Sequence, residues 1–305
     1  MLPETETIFR VLESYNSYSL NKPFLWDSKQ RGKFNIWKFL ISEGFVRSDD
    51  RANKIEQAIQ QWRAIEFRGA VTTQDKSHQY APDWKERTGR VTPYKMKERT
   101  NVYKALTYFI KQNLQNLEVH ILSDYHGYTE HNFEVYIILG QTIDHDWVCL
   151  LPTVPSECGL WYTDALRVNV QALTSCKSEN LNTQNFFEKV NKVLARLEPL
   201  IIYQYYENYY EHRIVCATSA NKIKAIKLGL QASRMFAVDG LLSEINRYSN
   251  NEEGEEVRQF MQESLQDCRC YTFSFWESGW IYELGHTQTG DWLGFKHWCW
   301  SDYNP

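Results

Sequence analysis

The 305-residue chain is 43% hydrophobic and 24% charged, with a net charge of −4 and a pI near 6.1. That balance supplies core material for one large or two ordinary domains, argues against wholesale disorder, and gives no long-range attraction for phosphate backbones. Nucleic-acid binding as the main activity is therefore disfavoured, while a basic protein partner would suit the charge. Aromatic residues are plentiful, with 19 Tyr, 15 Phe and 11 Trp. They exceed what cores alone need and leave material for a binding surface. Seven scattered cysteines without a C-x-x-C pair fit a reducing, cytoplasmic setting. The opening MLPETETIFRVLESY places acids where a signal peptide has basic residues. No apolar run is long enough to span a membrane.

In chain order, Ile8, Phe9, Val11 and Leu12 predict a helix over 5–15. Residues 23–27 read as a short strand or a turn, and 34–42 as a helix ended by Gly44. Ile55, Ile59 and Trp62 stack on one side of a helix over 53–67 that Gly69 ends. Residues 70–97, with Pro82, Gly89 and Pro93, read as a long polar loop. Val102, Leu106, Phe109, Ile110 and Leu114 give strong helical spacing over 99–114. Strands follow at 117–122, 133–140 and 146–154, and their short connections favour antiparallel neighbours. Residues 155–182 carry no clear pattern. A helix over 186–197 stops at Pro199, and the aromatic stretch 201–218 reads as two strands joined near Glu207 to Tyr209. Residues 221–247 read as largely helical, and an acidic run at 250–256 precedes a helix at 255–266 and strands at 270–276, 279–285 and 291–300.

One pattern occurs twice. Leu139-Gly140-x-Thr142-xxx-Asp146-Trp147 has the same form as Leu284-Gly285-x-Thr287-xxx-Asp291-Trp292, at a constant offset and with an amphipathic helix and a strand upstream of each. Chemically this is a hairpin prescription. Glycine permits φ > 0 as the strand ends, threonine and aspartate bond the turn backbone, and tryptophan starts the returning strand. A second reading has the tips present Asp146, Trp147, Asp291 and Trp292 to a partner. The repeat divides the chain into modules at 1–160 and 161–305, and the expected class is α+β: two α/β/α sandwich modules with largely antiparallel sheets and packed helices.

On these residues the chain resembles the nuclease A inhibitor family. The resemblance covers roughly Val102 to Val154 and Glu256 to Trp300, and is closest at Trp280-Ile281-Tyr282-Glu283-Leu284-Gly285-x-Thr287-x-x-Gly290-Asp291-Trp292-x-Gly294. It implies two divergent copies of the family's sandwich and a protein that blocks a sugar-non-specific, metal-dependent nuclease. The inhibitory family type uses a terminal threonine carboxylate, whereas this chain closes with Ser301-Asp302-Tyr303-Asn304-Pro305. Asp302 and the free carboxylate of Pro305 are the candidates for contact with a bound metal or a basic cleft here.

No phosphate-binding glycine loop, G-x-S-x-G or H-E-x-x-H is present, and no pair of carboxylates stands in an acid–base pattern. No catalytic residue, cofactor or metal is expected. Asp124, His126, His131, Asp144, His145 and Asp146 combine ligand types on neighbouring turns, but solvated polar loops account for them, as a half-exposed structural pair does for His297 and Cys299. The basic run from Lys85 through Arg90, Lys95, Lys97 and Arg99 reads as a solvated linker or a contact for RNA or acidic protein. Tyr206, Tyr209, Trp298 and Trp300 are the remaining candidates for a protein-binding surface, with the seam between modules as their other destination. The leading expectation is a non-catalytic protein-binding protein, an inhibitor or regulator of a nuclease. The alternatives are a nucleic-acid-associated subunit of a bacterial defence complex, with tyrosines stacking on bases, and an enzyme with an inter-module cleft.

Overall fold

The computed structural model describes residues 2–15, 21–47, 54–72, 93–123, 134–154, 176–203, 209–241, 252–275 and 278–300. Their elements are α1 (Pro3–Ser14), β1 (Asn21–Trp26), α2 (Ser28–Arg31), α3 (Ile36–Ser42), β2 (Val46–Arg47), α4 (Ile55–Thr72), α5 (Pro93–Asn113), β3 (Gln115–Leu122), β4 (Val135–Gln141), β5 (Trp147–Pro152), β6 (Cys176–Lys177), α6 (Leu181–Ala195), β7 (Leu200–Tyr203), β8 (Tyr209–His212), β9 (Ile214–Ser219), α7 (Lys222–Ala232), β10 (Phe236–Leu241), α8 (Glu252–Ser264), β11 (Gln266–Phe275), β12 (Ser278–His286) and β13 (Trp292–Trp300). The fold is α+β. A five-stranded sheet runs β1-β13-β12-β11-β10 and a six-stranded sheet runs β2-β3-β4-β5-β9-β6, with β7 and β8 as a separate ribbon. All pairs are antiparallel except β6 with β9. None of the described helices is long and apolar enough to cross a membrane.

Alternation along the strands explains the layering. In β4, Ile137 and Leu139 face an inner core with Cys149 and Leu151 of β5, while Ile138 joins Val148 and Leu150 on the outer face with α4, α5 and α6. In the other sheet, Trp280, Tyr282 and Leu284 of β12 face the same inner core, which also holds Phe39 and Leu40 of α3 and Ile226 and Leu230 of α7. The opposite face packs Leu293 and Phe295 against Ile8 and Leu12 of α1 and Met261 of α8. The strands thus have two buried faces, and α3 and α7 share the layer between the sheets.

Both halves pass through the same order of elements: helix, strand, helix, strand, helix and three strands. They are α1, β1, α3, β2, α5, β3–β5 and then α6, β9, α7, β10, α8, β11–β13, with α2, α4 and β6–β8 additional. Local details recur. Asn35 caps α3 by accepting from the Lys38 N–H, and Asn221 caps α7 by accepting from that of Lys224. Each helix exits through a left-handed residue, Gly44 (φ 76) and Arg234 (φ 66). The Ser123 N–H then donates to the Phe45 carbonyl at 3.0 Å, and the Ser274 N–H to that of Met235 at 2.9 Å. β3 and β11 open on Asn116 (φ 48) and Asp267 (φ 50), each within a register shift.

The first helix and strand of each half, however, complete the other half's sheet. β1 pairs with β13, so that Trp26 lies opposite Trp292, and β9 pairs with β5, so that Ser219 lies opposite Trp147. The division near residue 160 therefore separates two like segments along the chain, not the two sheets in space.

Three local expectations are corrected. The expected helix over 221–247 is interrupted within its described part: α7 stops at Ala232, and Phe236–Leu241 is a strand. Helix α5 begins at Pro93, inside the expected loop, because proline is well placed in a first helical turn. Gly69 does not end α4, which runs to Thr72: a helical glycine costs about 1 kcal/mol without forcing a stop.

Candidate functional site

The two hairpin turns carry the same bonds. The Thr142 N–H donates to the Asp146 carbonyl at 2.9 Å and the His145 N–H to the Thr142 carbonyl at 2.9 Å. Their counterparts are Thr287 N–H to Asp291 carbonyl at 2.8 Å and Gly290 N–H to Thr287 carbonyl at 3.0 Å. The left-handed residue is His145 (φ 63) in one turn and Gly290 (φ 87) in the other. The repeated glycines were expected to supply that conformation, and they do not. Gly140 and Gly285 sit within strands, where they allow close packing of the preceding helix end. A Cβ would lie 3.0 Å from Leu114 Cβ at Gly140 and 2.7 Å from Leu265 Cβ at Gly285.

Each turn is locked to the first helix of the opposite half. Thr142 and Thr183 share a hydroxyl hydrogen bond at 2.8 Å. Asp146 Oδ2 accepts from Ser178 Oγ and, at 2.9 Å, from Asn180 Nδ2. Asp144 takes Asn182 Nδ2 at 2.9 Å and the Thr183 N–H at 3.2 Å. In the other turn, Thr5 Oγ1 donates to Asp291 Oδ2 at 2.7 Å, the Ser28 N–H donates to Oδ1 at 2.8 Å, and Ser28 Oγ donates to the Gly290 carbonyl. Asp146 and Asp291, expected at the tips, are thus buried, at 2% and 4% exposure. Burial pushes the Asp146 carboxyl up, but hydrogen bonds from Ser178, Asn180 and Thr183 outweigh it and hold the pKa below its ordinary value.

What the first tip does expose is apolar. Ile143 is 68% exposed and Leu181, heading the helix bound to that tip, is 69% exposed. The corresponding turn residue of the second hairpin is Gln288, which is polar. Sequence patterning missed Ile143 because it lies inside the variable part of the repeat.

Trp147, Trp292 and Trp298 are half-buried against the inner core rather than displayed. Trp147 lies under Lys222 Nζ at 4.6 Å, and Trp292 stacks on Phe34 at 4.5 Å. Tyr209 pairs with Tyr203, and Trp300 with Ser278, at strand ends whose side chains lie outside the described residues. Tyr206 and Asp302 lie outside them altogether, as do Asp124, His126, His131 and Lys85 through Arg90. Among the described residues, no three metal-ligating side chains cluster. His297 Nε2 faces Glu283 Oε2 at 3.3 Å.

In the described part of the basic run, Lys97 is exposed, while Lys95 and Arg99 are paired within the chain. Lys95 pairs with Glu198 at 2.9 Å, and Arg99 is buried against Glu66, with Nε to Oε2 at 3.0 Å and a bond from Nη1 to the Glu198 carbonyl at 2.9 Å. Tyr103 Oη donates to Glu66 Oε1 at 2.6 Å, and His212 Nε2 lies 4.0 Å from the same oxygen. Burial drives the His212 pKa down to about 4, against the pull of Glu66. Arg99 among the apolar positions of α5 was the visible sequence signal for this cluster.

The inner faces of the two sheets differ at matching places. On the six-stranded sheet, Lys222 Nζ contacts both oxygens of Glu118 at 2.6 Å, His120 Nε2 lies 2.9 Å from Oε2, and the Trp37 ring meets His120 edge-on at 5.0 Å. Burial raises the Glu118 pKa, but Lys222 and His120 more than offset it. On the five-stranded sheet, Ile36, Ile223 and Tyr271 stand at the places of Lys222, Trp37 and His120, and a cavity of about 280 Å³ opens between α3, α7 and the strands. Comparison with protein-family models, with curated proteins and with solved structures found no match to this chain.

Proposed function

We propose that the chain is a non-catalytic protein-binding protein whose partner docks on the tip of the β4–β5 hairpin and the start of α6. The observation that carries this reading is the pair Ile143 and Leu181, two large apolar side chains exposed beside a turn fixed by Asp144 and Asp146. Prior ordering lowers the entropic cost of association, and large side chains on a fixed frame suit an interface centre. The acidic balance favours a basic partner. The resemblance of the hairpin segments to nuclease A inhibitors makes a sugar-non-specific, metal-dependent nuclease the first partner to test, in a reducing cytoplasmic setting compatible with the free, buried Cys149 and Cys216.

The test is titration of the purified chain into such a nuclease, followed through its DNA cleavage, beside affinity capture from a native lysate. The expected result is stoichiometric inhibition, weakened about tenfold or more by the double substitution Ile143→Asp, Leu181→Asp. Inhibition and capture that are both insensitive to that substitution would place the contact elsewhere. Absence of any stoichiometric partner would overturn the binding reading.

A further inference from the structure

The cavity beside the five-stranded sheet lies where, on the other sheet, two larger side chains, Lys222 and Trp37, lie against Trp147 and His120. Lys222 and Ile36 each directly follow a capping asparagine, and Trp37 and Ile223 come next. His120 and Tyr271 occupy the same place in their strands, four residues past the left-handed Asn116 and Asp267. On one side the long Lys222 and Trp37 reach over Trp147 and His120. On the other, the shorter Ile36 and Ile223 leave about 280 Å³ over Tyr271 and Trp292. The space opens to solvent on the side of the exposed Lys227, and its volume lies just under the range of small-molecule pockets, about 300–1,000 Å³.

The lining defines a ligand class. Phe34, Tyr271, Phe273 and Trp292 present ring faces and edges, and Phe34 and Trp292 are already stacked at 4.5 Å with 25° between their planes. Lys227 of α7 lines the same cavity, is exposed, and makes no ion pair among the described residues. Asn35 spends its Oδ1 on the α3 cap, which leaves its amide N–H groups as donors. Apolar walls with two donors of positive character suit a planar ring bearing an acid. We propose that this cavity binds a small aromatic carboxylate of one or two fused rings, with the ring among Phe34, Tyr271, Phe273 and Trp292 and the carboxylate toward Lys227 and Asn35. The site is separate from the hairpin tip and does not depend on a protein partner.

Indole-3-acetate and uncharged 3-methylindole are the probes, titrated into the full chain by calorimetry, with the quenching of tryptophan fluorescence as a second readout. Sub-millimolar, saturable binding of indole-3-acetate is expected. Lys227→Gln should weaken indole-3-acetate about three- to fivefold and leave 3-methylindole unchanged, as befits a solvent-exposed ion pair. Ile223→Trp, which introduces the large residue found at the matching position of the other sheet, should weaken both probes at least tenfold. Should Ile223→Trp fail to fold by circular dichroism, the two probes with Lys227→Gln decide. No saturable binding at several millimolar, equal effects of Lys227→Gln on both probes, or a folded Ile223→Trp that binds normally would each overturn the proposal.

Discussion

The six-stranded and five-stranded sheets are built on the same landmarks and finished with different chemistry. Both carry a Thr–Asp turn locked to a helix from the opposite half, an asparagine-capped helix on the inner face, and a left-handed residue opening the strand after the outer helix. Around the six-stranded sheet the spaces hold charge: Glu66 with Arg99 and Tyr103 on the outside, Glu118 with Lys222 and His120 on the inside. The inner face of the five-stranded sheet is mainly a run of aromatic contacts, Phe39 against Phe273, Tyr282 and Phe24 among them, with a single Lys296–Glu43 ion pair beside Tyr282 among the described residues. Backbone landmarks set the frame, then, and side-chain choice at a few positions decides whether a space becomes an ion network, an aromatic stack or a cavity.

The largest expected effect that would sharpen the contrast is on the charged side. Arg99→Met strands the Glu66 carboxylate, which is 1% exposed, and should cost about 3–5 kcal/mol in urea unfolding. A cost below about 1 kcal/mol would mean that the pair is not closed to water.

Acid should weaken the same cluster, where His212 of the β7–β8 ribbon faces Glu66. His212 is held near pKa 4 when folded against an ordinary 6.5, so between those values the unfolded chain binds the extra proton. Stability is complete above pH 6.5 and falls as pH drops toward 4, by roughly 3 kcal/mol. His212→Gln should flatten that slope, and an unchanged slope would assign it to other groups.

Next come the locked turns, where the two halves should respond alike. Asp291→Ala removes the acceptor of Thr5 and Ser28, and Asp146→Ala that of Ser178 and Asn180, each at about 1.5–3 kcal/mol. A large loss at one and none at the other would break the likeness of the turns.

The smallest effect concerns the repeated glycines. Gly285→Ala should be the worse substitution, at about 1–3 kcal/mol, because its Cβ would meet Cys268 Sγ at 2.5 Å and Leu265 Cβ at 2.7 Å. Gly140→Ala, with its nearest neighbour a Leu117 methyl at 2.9 Å, should cost about 1 kcal/mol. Thermal unfolding of the two variants ranks them.

Much of this frame is legible in the amino-acid order. The nine-residue repeat marks both hairpins, and the apolar spacing of Val102, Leu106 and Ile110 marks the helix behind the first, since strand alternation and helical period follow directly from burial. The crossing of the first helix and strand is not legible. Thr5 and Thr183 look like ordinary helix-start residues, and only space shows that each meets the turn of the other half. Nor does a strand as short as 23–27 announce its partner, because pairing with β13 is decided by the sheet edge it closes. Ile143 was passed over for the opposite reason: its neighbours matched the motif and it did not.

Joining residue 5 to residue 291 across 286 positions has a cost in time. While a ribosome is still extending the chain, β1 has no edge to dock on until β13 has emerged, so the five-stranded sheet closes only after β13 has been made. The early segment must wait for its partner until nearly 270 residues more have been added.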